Sequence, residues 1–343
     1  MLSEILFLIL GLLIILVSAE FFTNGIEALG KKFSLSQAVV GSILAAVGTA
    51  LPETILPMVA IFFYAGKSAK EIGVGAILGA PFMLSTIAMF LVGITVTIAY
   101  LRKKRKFELK VEYKSTVRDL IFFLAMYSFA VSLPAIFGRS HIFLVSISII
   151  LICGYIFYIY RTLTGESGNI EHSEEIYLVK LMKYVGFSGT ENPTIIIILF
   201  QVVGALLIMI KGAHTFVESL EHISIRFGMD PLIFALLLAP VATELPEKFN
   251  SVTWTWKGRD TLAIGNITGA MVFQSTFPVS VGLLFTEWKI TGMALLSAIF
   301  AITSSIIILT ELNMRKSLSP LTLIICGSLY FLYAILLISG NII

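Results

Sequence analysis

Ala46-Val47-Gly48-Thr49-Ala50-Leu51-Pro52-Glu53 in the first half of the chain and Pro240-Val241-Ala242-Thr243-Glu244-Leu245-Pro246-Glu247 in the second are two forms of one pattern. Each lies inside a long apolar run and sets a proline and a glutamate in the middle of it. Proline has no N–H, and its ring clashes with the carbonyl four residues back. Pro52 and Pro246 therefore leave the carbonyls of Gly48 and Ala242 without their usual partners. Sliding the sequence by 194 residues places Thr49 on Thr243, Leu51-Pro52-Glu53 on Leu245-Pro246-Glu247, Glu27 on Glu221 and Phe33 on Phe227. A shift of 190 aligns Gly75 with Gly265, Gly79 with Gly269, Ala80 with Ala270 and Ser85 with Ser275. Chance supplies one Leu-Pro-Glu pair more easily than it supplies this whole register.

Outward from the repeat, the 343 residues are 57% hydrophobic and 13% charged, with a mean hydropathy of +0.97. One soluble core cannot hide that much apolar side chain. The chain reads as an all-α integral membrane protein with about ten transmembrane helices. They fall near residues 4–30, 35–63, 71–100, 117–137, 140–161, 194–224, 231–256, 261–285, 290–311 and 319–340. Backbone polar groups cannot go unpaired in lipid, and the runs lack the alternation of a barrel, so helices are expected throughout. Residues 1–161 form the first set of five spans, 162–193 a cytoplasmic linker and 194–343 the second set. Five spans and a linker make the second copy cross in the opposite sense, the inverted-repeat arrangement of secondary transporters with helices broken at the midplane. The N-terminal apolar run lacks a basic leader and continues into Glu20, so it reads as a first span and not a cleaved signal. Cys153 and Cys326 lie in apolar stretches and suggest neither a disulfide framework nor a metal cluster.

The net charge of +3, from 24 Lys and Arg against 21 Asp and Glu, matters less than its placement. With the N-terminus outside, one side receives Lys31, Lys32, Arg102 to Lys106, Lys110, Lys114, Arg118, Arg161, Lys180, Lys183, Lys257, Arg259, Arg315 and Lys316. The other receives Lys67, Lys70, Arg139, Arg226 and Lys289. Basic loops stay in the cytoplasm, so both termini are expected outside a cell membrane, and the run at Arg102 reads as a topology determinant, not a nucleic-acid site.

An ionised carboxylate at membrane depth costs at least about 2.5 kcal/mol, so Glu53 and Glu247 need a partner or a function. Two carboxylates across a pseudo-two-fold axis, with threonine carbonyls, make an all-oxygen shell of charge about −2. That shell suits Ca2+, a hard ion, better than Zn2+, which favours His and Cys. The plain alternative is a pair of buried glutamates bridged to Lys or Ser for packing.

Ser18-Ala19-Glu20-Phe21-Phe22-Thr23-Asn24-Gly25-Ile26-Glu27, Val40-Gly41 and Gly48 to Glu53 resemble the first α-repeat of sodium/calcium exchangers, in the calcium/cation antiporter superfamily. Lys211-Gly212-Ala213, Val217-Glu218-Ser219, Thr243 to Glu247, and Asp260 before Ile264-Gly265-Asn266 resemble the second. The resemblance implies ten helices in two inverted halves, Ca2+ held by Glu53, Glu247 and the carbonyls of Thr49 and Thr243, and alternating access by sliding of the first and sixth spans. It implies a secondary active antiporter and no enzyme, with Ca2+ and Na+ or H+ as cargo, the bilayer as its surroundings, and no cofactor.

The sequence departs from the family pattern where sodium ligands are usual. The serine after the motif threonine is Ala50 in one copy and Glu244 in the other. Ala80 and Ala270 replace a small hydroxyl residue, and Leu84 and Gln274 stand four positions on. Carbonyls with Gln274, Ser85 or Ser275 could fill the gap, so Na+ is the expected partner and H+ the alternative. Glu244 has two readings: an ion pair with Lys248 four residues on, or a third carboxylate of the site. Three close carboxylates cannot all stay ionised without a cation, so proton uptake by the empty site follows from the second reading.

His214, Glu218 and His222 recur every four residues, but no second ligand helix matches them, and a polar cavity or helix end is the simpler reading. Trp254, Trp256 and Trp288 read as interfacial anchors. An intramembrane enzyme lacks its usual signatures here, and a channel would need a continuous pore instead of a mid-membrane site. A monomer is expected, with an oligomer left open.

Overall fold

The computed structural model describes residues 2–33, 50–64, 66–163, 176–184 and 194–339. The apolar runs form helices, which satisfy every backbone group within the segment. They are α1 (Leu2–Lys32), α2 (Leu51–Phe63), α3 (Lys67–Leu101), α4 (Tyr113–Phe137), α5 (His141–Leu163), α6 (Tyr177–Tyr184) and α7 (Ile195–Phe227). The rest are α8 (Pro231–Thr243), α9 (Leu245–Trp256), α10 (Asp260–Gln274), α11 (Phe277–Phe285), α12 (Gly292–Arg315) and α13 (Pro320–Ile338). Eight stretches are long and apolar enough to cross a bilayer, α10 and α11 together making one; α2 and α8 are shorter apolar helices. The only β pairing among the described residues is an isolated bridge between Leu109 and Leu318.

The ends of the helices follow their sequences. Asp230 caps α8 by accepting from the Leu232 N–H at 2.8 Å, with Pro231 at the first helical position. Glu112 caps α4 and Ser319 caps α13 in the same way. Gly228 closes α7 with φ +64°, a left-handed conformation that glycine adopts without strain.

The second copy breaks at its motif, between α8 and α9, and in the first copy the described chain resumes at Ala50, just before α2. Ala50 (φ −83°, ψ 0°) precedes α2 and Glu244 (φ −94°, ψ 13°) precedes α9, and both lie in the sparsely allowed bridge region. Between α10 and α11 the chain turns at Ser275-Thr276, and Pro278 leaves the Gln274 carbonyl without its helical donor. At the matching place α3 swells into a π-turn over Leu84–Ala88. The Ser304 hydroxyl of α12 donates to the Ser85 carbonyl exposed by that turn.

Packing contacts come in matched pairs. The α2 helix packs on α3 as α9 packs on α10; α13 packs on the second half of α3 as α5 packs on α11; α12 packs on the first half of α3 as α4 packs on α10. The α1 and α7 helices lie along one another. Glu4 meets Arg226, Gly11 faces Gly212 and Asn24 receives Gln201, so the two run antiparallel. The α3 and α8 helices run parallel and close together, because a Cβ on Gly75 or Gly79 would sit 2.1 or 2.2 Å from the carbonyl oxygen of Leu232 or Leu236.

The core divides in two. One cluster joins α1, α7, α8, α2 and the start of α3, and it also takes Ile176 and Val179 at the amphipathic α6. The other gathers α4, α5, α10 to α13 and most of α3. Trp288 departs from its expected place at the interface: it is buried, packed over Gly282, and its indole N–H donates to the Ala130 carbonyl at 3.0 Å. A tryptophan whose N–H finds a partner can enter a core. Trp256 stays half-exposed beneath Arg102 and Lys104, as an interfacial ring would.

Candidate functional site

Glu53 and Glu247 occupy the first turns of α2 and α9, where helix N-termini favour negative charge. Both side chains are buried, at 5% and 4% exposure. Glu53 lies within electrostatic reach of Glu247 and Glu244, with the Gln274 amide beside it. The fold thus draws together residues from α2, the α8–α9 junction and α10.

What sets this cluster apart is unmet hydrogen-bonding capacity. Glu53 Oε2, Glu247 Oε2 and both amide atoms of Gln274 are buried without a hydrogen-bond partner among the described residues. Buried polar atoms are normally paired, and an unpaired one costs about 1–3 kcal/mol, more when charged. Carboxylate and amide oxygens left unpaired in one neighbourhood fit a cation that supplies the missing partner. No three His, Cys, Asp or Glu residues among the described ones form a metal-binding cluster, so two carboxylates with amide and carbonyl oxygens are the set available.

The second copy is braced from behind. Asn266 donates to the Glu247 carbonyl at 3.2 Å and to Ser251 Oγ at 3.1 Å, while Ser251 donates to the Ala263 carbonyl at 3.2 Å. These bonds lock the first turns of α9 to α10 and hold the Glu247 backbone in place.

The other sequence candidates divide. Thr243 is buried at the end of α8, its hydroxyl donating to the Ala239 carbonyl at 3.1 Å. Ser85 and Ser275 are buried, and their hydroxyls donate to Phe82 and Val272 carbonyls in their own helices at 3.1 and 2.9 Å. Their remaining lone pairs are what they can offer a cation. Thr49, Gly48 and Val40-Gly41 lie outside the described residues, as does most of the linker. Glu244 pairs with Lys248, the Nζ atom standing 3.1 Å from Oε2, so the i, i+4 ion pair is formed inside the protein. His214 meets Phe63 edge-on and Tyr64 at a tilt at the end of α2, the Tyr64 hydroxyl donating to its carbonyl at 2.8 Å.

Two features escaped the sequence reading. Lys248 also donates to the Pro240 carbonyl at 2.9 Å and to Met83 Sδ at 3.0 Å. Arg105, one of five consecutive basic residues, forms a two-pronged ion pair with Asp260 at 2.8 and 2.6 Å and also donates to the Thr255 and Glu108 carbonyls. Asp260 accepts a further bond from the Lys110 N–H at 3.0 Å. The basic run therefore carries a specific latch as well as charge.

The family model for sodium/calcium exchanger proteins matches residues 3–164 and 197–339. The uncharacterised membrane protein MJ0091 of Methanocaldococcus jannaschii is 22% identical over 279 residues, which cover 81% of each chain. Among solved structures, the H+/Ca2+ exchanger CAX superposes with a TM-score of 0.71 at 16% identity, over 98% of this chain and 82% of that one. The sodium-calcium exchanger NCX_Mj superposes with a TM-score of 0.57 at 19% identity, over 98% of both chains.

Proposed function

The chain belongs to the sodium/calcium exchanger protein family, and from that premise we propose that it is a secondary active antiporter exchanging Ca2+ for a monovalent cation by alternating access. The observation that carries this reading is the meeting of Glu53 and Glu247 from two copies of one motif, buried and with oxygen atoms still unpaired. Ca2+ takes 6 to 8 oxygens and neutralises two carboxylates. Its ligands in this proposal are Glu53, Glu247 and the carbonyls of Thr49 and Thr243, with Gln274, Ser85 and Ser275 as further contacts for a monovalent ion or proton.

The two halves, 1–161 and 194–343, are inverted repeats in this reading, joined by a cytoplasmic linker over 162–193. The antiparallel run of α1 against its counterpart α7 and the matched packing pairs support it. The α1 and α7 helices share a core cluster distinct from that of most other helices, which suits a pair that slides past the rest to open the site to each side in turn. The protein sits in the cell membrane with both termini outside and functions as a monomer.

Na+ is the counter-ion in this proposal, and one observation favours H+ as a second reading. Ala50, Ala80 and Ala270 bring no side-chain oxygen, whereas the unpaired carboxylate oxygens of Glu53 and Glu247 can take protons. Isotopic Ca2+ uptake into proteoliposomes, driven in turn by a Na+ gradient at fixed pH and by a pH gradient without Na+, tests both. Uptake that follows the Na+ gradient is expected. Uptake that follows only the pH gradient establishes the second reading, and uptake with neither removes the antiport proposal.

A further inference from the structure

The motif accounts for every buried charge at the site except one. Lys248 follows Glu247 directly, and its side chain is only 6% exposed. It reaches back across the α8–α9 break, and its ammonium group stands among three groups: Glu244 Oε2 at 3.1 Å, the Pro240 carbonyl at 2.9 Å and Met83 Sδ at 3.0 Å. The Pro240 oxygen also accepts the Glu244 N–H at 3.2 Å, so one carbonyl of the breaking helix anchors both ends of the ion pair.

A carbonyl oxygen and a carboxylate oxygen around a +1 charge are what a bound alkali ion would seek. The thioether distinguishes the present occupant: sulfur accepts an N–H donor weakly but is a poor ligand for a hard cation. Charge arithmetic points the same way. Glu53, Glu244 and Glu247 carry a formal −3, and Lys248 brings the group to −2, which one Ca2+ neutralises. Without the lysine, the same carboxylates would have room for Ca2+ and one monovalent cation together.

We propose that the Lys248 ammonium is a tethered substitute for a bound monovalent cation, filling a place between Glu244 and the Pro240 carbonyl and so lowering by one the number of coupling ions per Ca2+. The proposal rests on the antiport reading, and its test is built to fail separately. The prediction is that shortening Lys248 opens a site for a small cation that the native chain lacks. Purified Lys248→Ala, native chain and the double variant Glu244→Gln/Lys248→Met are melted in choline, sodium and methylammonium chlorides at equal ionic strength, each with and without Ca2+.

Lys248→Ala should gain at least about 3 °C more in Na+ than the native chain does, each measured against choline, as an added cation site in the folded state requires. Methylammonium, which stands in for the lysine ammonium, should stabilise Lys248→Ala and leave the native chain unchanged. The double variant should gain no more than the native chain in either salt, because its carboxylate is gone. In proteoliposomes, Lys248→Ala should need about one further Na+ per Ca2+, read as a Hill coefficient higher by about one. A variant recovered only in Na+ or methylammonium supports the proposal. One that gains no more than the native chain in either salt, or cannot be recovered in any of the three salts, overturns it. Ca2+ should raise the melting point of the native chain; if it does not, the Ca2+ site itself is at fault, whatever Na+ does to Lys248→Ala.

Discussion

Glu53 and Glu247 are costly residues kept in a buried place, and that cost is the strongest argument for their role. Glu53→Gln or Glu247→Gln removes one of two ionised groups while barely altering volume. Each should weaken Ca2+ binding at least about 100-fold, since every 1.4 kcal/mol is tenfold and one carboxylate–cation contact in a partly buried site is worth several. Folding should survive, with melting in Ca2+-free buffer unchanged or higher, because an uncompensated buried charge has gone. Calorimetric titration with Ca2+ checks the first part; native-like affinity in both variants would move the site elsewhere. Arg105 and Asp260 make the opposite case, a pair whose charges meet through two hydrogen bonds. Removing one partner from a buried pair costs about 3 kcal/mol or more. Arg105→Met should therefore lower the melting point clearly, and Arg105→Met/Asp260→Asn should cost at least about 1 kcal/mol less than the sum of the single changes. Strict additivity would show that the latch does not hold the loop. The glutamates were legible in the sequence because the repeat marks them twice. The contacts of Lys248 with Met83 and of Arg105 with Asp260 were not, because they join residues 165 and 155 positions apart that no local pattern links.

At the scale of elements, the sequence located the break at the second motif but read 71–100 and 261–285 as unbroken spans. Pro52 and Pro246 fixed where α2 and α9 begin, since proline is favoured in the first turn of a helix. In α3 and the α10–α11 pair, one break is a π-turn and the other a true interruption. The difference follows the position of proline: Pro81 precedes the π-turn and Pro278 follows the interruption. The glycines aligned in the sequence as repeat markers have a physical purpose in the first copy, where Gly75 and Gly79 let α3 approach the backbone of α8. Alanine at either position drives a Cβ against a helix carbonyl that a rotamer change cannot clear. Gly79→Ala should cost about 1–3 kcal/mol by overpacking. A melting point within about 1 °C of the native value would mean that the α3–α8 seam is looser than its geometry.

At the scale of the whole molecule, the described loops sort themselves by charge. The Arg105–Asp260 latch, the Leu109–Leu318 bridge, Arg102 and Lys104 over Trp256, and Lys316 over Tyr113 gather the loops after α3, α9 and α12 at one end. Lys67, at the start of α3, lies at the opposite end of that helix from the basic run. Because α1 runs against α7 and α3 runs with α8, the helix directions are fixed relative to one another, and the location of a single loop orients the entire chain. Basic loops are retained in the cytoplasm, so the end carrying Arg102 to Lys106 should face inward. Lys104→Cys should resist an impermeant maleimide in intact cells and react after permeabilisation. Lys67→Cys, whose native side chain is 81% exposed and pairs with Glu71 in its own helix, should react at once. Cys153 is exposed and must first be changed to serine, whereas Cys326 is buried. Labelling at 104 with protection at 67 would invert the orientation of every helix at once, and with it the side on which the proposed α1–α7 sliding opens the site.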